Sequence, residues 1–153
     1  MSSIVKKVLS SSWSMPNYDY SNIVKDYFKV ILGLKHVPNE VIKFYGQCNG
    51  FGVYALNDVF SLERISQERD AFFEFIDAMG LEEDMVKYNL VPVADDAMGG
   101  YYVFKSSVKD KTIYYLDHEN PRPLEKCMSF ENFNKYLEDL KEMVDSFEEE
   151  DND

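Results

Sequence analysis

Apolar residues recur at helical spacing near both ends of the chain and at strand spacing through its middle. Residues 1–18 show little periodicity and read as an amino-terminal arm, with Trp13 and Met15 as the groups able to tack it onto the body. From Ser21–Asn22, the steps Ile23, Tyr27, Val30/Ile31 and Leu34 predict a helix with those residues on one face. A second helix starts near Pro38, which suits a first turn because its missing N–H would be unpaired there anyway. Val37, Val41, Tyr45 and Cys48 line its inner face, and Asn49-Gly50 supplies residues that accept positive φ and close it. Phe51–Leu56 then reads as a strand and Val59–Ile65 as a short strand or extended segment. Phe72, Ile76 and Met79 define an amphipathic helix closed by Gly80, and Leu81–Lys87 a charged connector with room for one helical turn.

Three segments rich in aromatic and β-branched residues, Leu90–Ala94, Tyr101–Phe104 and Thr112–Leu116, read as strands. Met98-Gly99-Gly100 and Ser106–Lys111 are the turns between them, and a loop over Glu119–Lys126 follows. The last helix takes Ser129 as its N-cap and Glu131 as the acid on the positive end of its dipole. Phe130, Phe133, Leu137, Leu140, Val144 and Phe147 then recur every three or four residues. Strands grouped between helices predict one α+β domain over residues 19–147, with a central antiparallel sheet packed against helices. An acidic, disordered tail is expected over 148–153.

Composition narrows the class. With 45% apolar residues, 11 Phe and 11 Tyr in 153 residues, the chain is rich enough to bury a core. Cys48 and Cys127 do not make a disulfide framework and are expected as reduced, packed thiols of a cytoplasmic protein. After Lys6-Lys7 only Val8-Leu9 precedes Ser10-Ser11-Ser12, too short for an export signal or a membrane span.

The net charge of −12 is unevenly placed. Residues 1–60 carry six Lys against four acids, residues 61–137 nine basic groups against fifteen acids, and Glu138–Asp153 nine acids against Lys141 alone. Nucleic acid is disfavoured as a partner, since its recognition needs a basic face to displace counterions from phosphates. An acidic protein is steered instead toward basic partners.

Chemistry-bearing residues are few. Asp95-Asp96 at a strand end reads as a partner contact or as turn chemistry, because Asp bonds nearby backbone N–H groups. Asp117-His118-Glu119 lacks the further ligands at helical spacing that a metal would want, and Cys127 lacks a nucleophile motif. The glycines of Gly46–Gly52 follow a helix, whereas phosphate cradles open one. No catalytic, cofactor or metal residue is therefore assigned. Tyr88, Tyr101, Tyr102, Tyr114 and Tyr115 either present rings outward for protein recognition or line both faces of a covered sheet. The candidate partner-binding residues are Asp95, Asp96, Tyr101, Tyr114, Asp117 and Glu119.

Four short signatures in fixed order carry a resemblance. They are Val37-Pro38 leading to Asn49-Gly50, Val91–Asp96 with Pro92 running into Gly99-Gly100, Tyr114–Glu119, and Ser129-Phe130-Glu131-Asn132-Phe133. Together, over about residues 35–145, these resemble the SUKH superfamily, which includes fungal cell-wall assembly regulators and bacterial toxin-immunity proteins. The resemblance implies an α+β fold and no catalytic residues to transfer. It also implies a non-catalytic protein-binding module: an immunity protein that neutralises a cognate toxin domain, for which a basic nuclease would suit the acidity. The alternatives are a regulatory adaptor of the cell-wall assembly kind and an enzyme without a recognised motif.

Overall fold

The computed structural model describes residues 20–53 and 57–151. The arm carrying Trp13 and Met15 lies outside them. Six strands form one sheet: β1 (Phe51–Val53), β2 (Asn57–Val59), β3 (Leu90–Asp95), β4 (Tyr101–Lys105), β5 (Ile113–Leu116) and β6 (Ser129–Phe130). Every neighbour in the sheet is the next strand in sequence, and every pair is antiparallel. Among the described residues six α-helices flank the sheet: α1 (Ser21–Asp26), α2 (Asn39–Gln47), α3 (Leu62–Gln67), α4 (Arg69–Met79), α5 (Glu82–Tyr88) and α6 (Phe133–Asp151). Among the described residues no helix is long and apolar enough to cross a membrane.

Strand alternation sorts side chains onto two cores. On one face Val91, Val93, Tyr102, Phe104 and Ile113 pack with Val24 and Phe28 of the first helical segment, Val41, Phe44 and Tyr45 of α2, and Phe133, Tyr136 and Leu140 of α6. On the other, Leu90, Val103 and Leu116 pack with Phe72 and Ile76 of α4 and with Leu124. The α+β expectation holds. Two polar links pin the first core: the Tyr45 hydroxyl donates to the Phe60 carbonyl at 2.7 Å, and Asn57 Nδ2 donates to the Tyr136 hydroxyl at 3.0 Å. Burial pushes the Tyr136 hydroxyl's pKa well up, so it stays a neutral acceptor.

Three local rules fit the sequence closely. Pro38 caps α2, and Gly50 after it has φ +84. A Cβ there would lie 2.6 Å from the Val59 carbonyl oxygen, so only glycine lets the chain pass so near β2. Asn49 beside it turns its Oδ1 to the Leu62 N–H (2.9 Å) and Nδ2 to Glu63 (3.2 Å), tying the end of α2 to the start of α3. Pro92 sits in a central strand, where its lack of an N–H is tolerated because the β3–β4 register shifts between Pro92 and Ala94.

Other expectations are corrected. The first helix does not bury Ile23, Val30 and Ile31, which are 60%, 72% and 65% exposed. After Asp26 the backbone passes into a π-helical stretch, Tyr27–Ile31. That wider turn selects the Val24, Phe28, Leu32 series for the core instead. Val59–Ile65 is not one extended piece: Ser61 Oγ accepts the Arg64 N–H at 3.1 Å and starts α3. The charged connector is the helix α5, with Glu82, Glu83 and Asp84 in its first turn where the dipole favours them. Ser129 is not an N-cap. Ser129-Phe130 pairs with β5, and Asn132 caps α6 by accepting the Lys135 N–H at 3.0 Å, which leaves Glu131 outside the first turn and opposite Lys111. The backbone of α6 runs to Asp151.

Candidate functional site

The β3–β4 turn and the loop after β5 lie at the same end of the sheet, because Asp95 pairs with Tyr101 and Tyr101 with Leu116. Five of the six candidate residues, Asp95, Asp96, Tyr101, Asp117 and Glu119, meet there. Tyr114 does not. It pairs with Val103 and Ser129, and its hydroxyl donates to Asp110 Oδ2 at 2.8 Å, toward the opposite end.

The two adjacent aspartates have different roles. Asp96 organises the turn: its Oδ1 accepts the Met98 and Gly100 N–H groups, each at 2.8 Å, and its Oδ2 accepts the Tyr115 hydroxyl. Burial works against its charge, but the Tyr115 hydroxyl, the two N–H groups and nearby His118 more than offset this and hold the carboxyl below its ordinary range. The same bond, with burial, pushes the Tyr115 hydroxyl well above its ordinary pKa. Gly100 makes the arrangement possible, since a Cβ would come within 2.5 Å of Asp96 Oδ2. Asp96 is thus a builder of the loop, and turn chemistry accounts for both of its oxygens.

Asp95 points into an ion network. Arg64 contacts Asp95 and Asp58 at 3.2 Å each and Glu68 at 3.3 Å, with its guanidinium 4.4 Å above the Phe60 ring. Burial pushes the Asp95 carboxyl above its ordinary range, and the Ala97 and Asp58 N–H groups and the Arg64 charge only partly oppose it. Each pair is partly exposed and worth at most about 1 kcal/mol. Its effect is geometric: three carboxylates are held at one edge by a single cation. Sequence reading missed Asp58, Arg64 and Glu68 here. Arg64 and Glu68 are a local i,i+4 pair, but Asp58 meets Asp95 through strand register, which no local pattern encodes.

Tyr101 is no outward ring. It lies edge-on to Phe72 and Phe75, with centroids 5.2 and 4.9 Å away. Tyr102 stacks on Tyr115 at 4.8 Å and packs on Tyr136 at 4.5 Å. The tyrosines therefore line a sheet covered on both faces. What does project is Met98, 68% exposed at the tip of the β3–β4 turn. Beside it the His118 ring lies against Gly99, while Asp117 Oδ1 accepts the Glu119 N–H at 3.0 Å and the Glu119 carboxylate stays exposed. The result is an exposed thioether at the sheet end that also carries Asp95, Asp117 and Glu119.

Neither cysteine is placed for nucleophilic work. Cys48 is buried in the first core. Cys127 packs on the second, where its thiol donates to the Arg122 and Pro123 carbonyls and burial raises its pKa. Among the described residues no three His, Cys, Asp or Glu side chains gather closely enough to share a metal ion.

Among curated proteins, none matches this chain. A family model described as the SMI1 / KNR4 family (SUKH-1) matches residues 32–149, from the end of the first helical segment to the last turns of α6.

Proposed function

The chain belongs to the SMI1 / KNR4 family (SUKH-1), and from that premise we propose that it is a non-catalytic binding protein that neutralises a toxin domain by direct contact. The observation that carries this reading is the sheet end where exposed Met98 tips a short, internally braced turn and Asp95, Asp117 and Glu119 lie at the same end. An exposed apolar anchor at an acidic sheet end suits a basic partner: burial of the thioether supplies affinity, and the carboxylates supply steering and register. The brace matters as well. A turn already fixed by Asp96 loses little conformational freedom on docking. A basic toxin domain, a nuclease among them, presents the complementary charge.

Affinity capture from the native host, washed at low and high salt, tests the reading. One stoichiometric partner carrying a toxin-like domain is expected, released by high salt and weakened about tenfold or more by Met98→Asp. Several host signalling or wall-synthesis proteins retained together would replace the immunity role with that of a regulatory adaptor.

A further inference from the structure

The sheet end opposite the acidic turn carries the reverse charge. A solvent-open groove of about 600 Å³ lies between the first helical segment, the connector to α2 and the β4–β5 turn. Lys25, Lys29, Lys35, Lys109 and Lys111 line it, together with His36. Its floor is apolar, built from Leu34, Val37, Pro38 and Ile42. The walls are tied together, because the His36 N–H donates to the Ser106 carbonyl at 2.8 Å and the Leu34 N–H to the Phe28 carbonyl at 2.9 Å.

One acid lines the groove, Asp110, and its charge is already engaged. Its Oδ2 accepts the Tyr114 hydroxyl and sits 3.4 Å from Lys105 Nζ, while Oδ1 accepts the Thr112 N–H at 2.9 Å. Those hydrogen bonds and Lys105 outweigh burial and keep its carboxyl below the ordinary range. Lys111 has only a loose, exposed partner in Glu131 at 3.8 Å, and Lys25, Lys29, Lys35 and Lys109 form no ion pair among the described residues. Four ammonium groups without an ion pair among the described residues line one cleft, where they repel each other and raise the local potential. In a protein of net charge −12 such a concentration stands against the average field.

We propose that this groove binds an acidic peptide segment of a partner protein, with carboxylates on the lysine rim and apolar side chains on the Leu34–Val37–Pro38–Ile42 floor. The lining favours a peptide over nucleic acid. Among the described residues it holds no aromatic ring to stack a base and no arginine to fork a phosphate, and the acidic remainder of the molecule repels a long polyanion. The apolar floor would be idle beneath a bare phosphate but matches a chain that mixes Glu or Asp with Leu. Exposed Val30 and Ile31, next to Lys29 in sequence, extend the same mixed chemistry beyond the rim. The site is separate from the acidic turn, and its test needs no toxin, so either reading can fail alone.

Fluorescence anisotropy with a fluorescein-labelled octapeptide of sequence EELEELEE tests it, at about 10 mM and about 0.15 M salt, where screening lengths are about 30 and 8 Å. Saturable binding at low salt is expected. The double variant Lys25→Glu/Lys29→Glu and the single Lys109→Glu on the facing wall should each weaken it tenfold or more. Lys126→Glu, on the opposite face of the sheet, should leave it unchanged, and a peptide with serine for leucine should bind several-fold more weakly. Absence of binding at low salt, affinity unaffected by the Lys25/Lys29 reversal, or equal or tighter binding of an oligothymidylate of the same length would each overturn the proposal. All these lysines are exposed, and circular dichroism of each variant verifies that folding is intact.

Discussion

Asp95 and Asp96 are chemically identical neighbours that should respond unequally to substitution, and with opposite sign to pH. Asp96→Ala removes an acceptor from three donors, the Met98 and Gly100 N–H groups and the Tyr115 hydroxyl. Bonds to a charged acceptor contribute about 1.5–3 kcal/mol each when buried. Here the turn is half open and water can take over part of the load, so about 2–3 kcal/mol is expected for all three together. Asp96→Asn retains one oxygen for the two N–H groups and should lose about 1 kcal/mol. Asp95→Asn should stay within about 0.5 kcal/mol of the parent, because its ion pair with Arg64 is partly exposed and burial already disfavours its charge. Urea unfolding followed by far-ultraviolet circular dichroism gives the differences, provided the m-value is unchanged. The pH dependence supplies a second test. Asp96 has its folded pKa below the unfolded value of about 3.9, so its contribution is present above that value and fades as pH falls through the folded pKa. The deficit of Asp96→Asn should therefore shrink between about pH 5 and 3. Asp95, with its pKa raised in the fold, follows the reverse sign: the folded state holds its proton more tightly, so ionisation weakens stability as pH rises through that window. Equal losses at the two positions, or an Asp96→Asn deficit as large at pH 3 as at pH 7, would refute the assignment of Asp96 as the builder of the turn.

Two further tests follow from the fold. Gly50→Ala combines a positive φ with a Cβ pressed on the Val59 and Phe60 backbone, so a loss of about 2–4 kcal/mol is expected by urea titration. Gly80→Ala shares the positive φ (+72) but meets nothing within 4 Å, and should lose only about 1–2 kcal/mol; a reversed order would contradict the close-approach argument. Tyr136→Phe leaves the buried Asn57 amide without its acceptor and should lower stability by about 1–2 kcal/mol, a deficit that Asn57→Leu in the same background should partly restore.

Much of this molecule is legible in the sequence where one element obeys one local rule. The α2 stripe of Val41, Tyr45 and Cys48, the Gly80 stop of α4 and the three central strands need only periodicity and turn chemistry. Errors cluster where a tertiary partner chooses between equal local options. The first helix offers two apolar stripes, and the π-helical stretch decides for Val24 and Phe28. Ser129 is a good cap on paper, yet β5 offers it a strand partner and Asn132 caps equally well. The site divides in the same way. Asp95, Asp96, Asp117 and Glu119 stand next to turn signals and Arg64–Glu68 is a local i,i+4 pair, so these can be found, but Asp58 reaches Asp95 only through strand register. The lysine groove draws on three separate segments, so no window of sequence holds it.

Among the described residues both outer strands of the sheet are short: β1 has three residues and β6 two. An incoming extended chain lengthens a sheet only when it finds a run of free backbone donors and acceptors long enough to set a register. These borders offer too few. Among the described residues neither border offers the run that strand addition or edge-to-edge stacking needs, which directs a partner to side chains on the turns and helices.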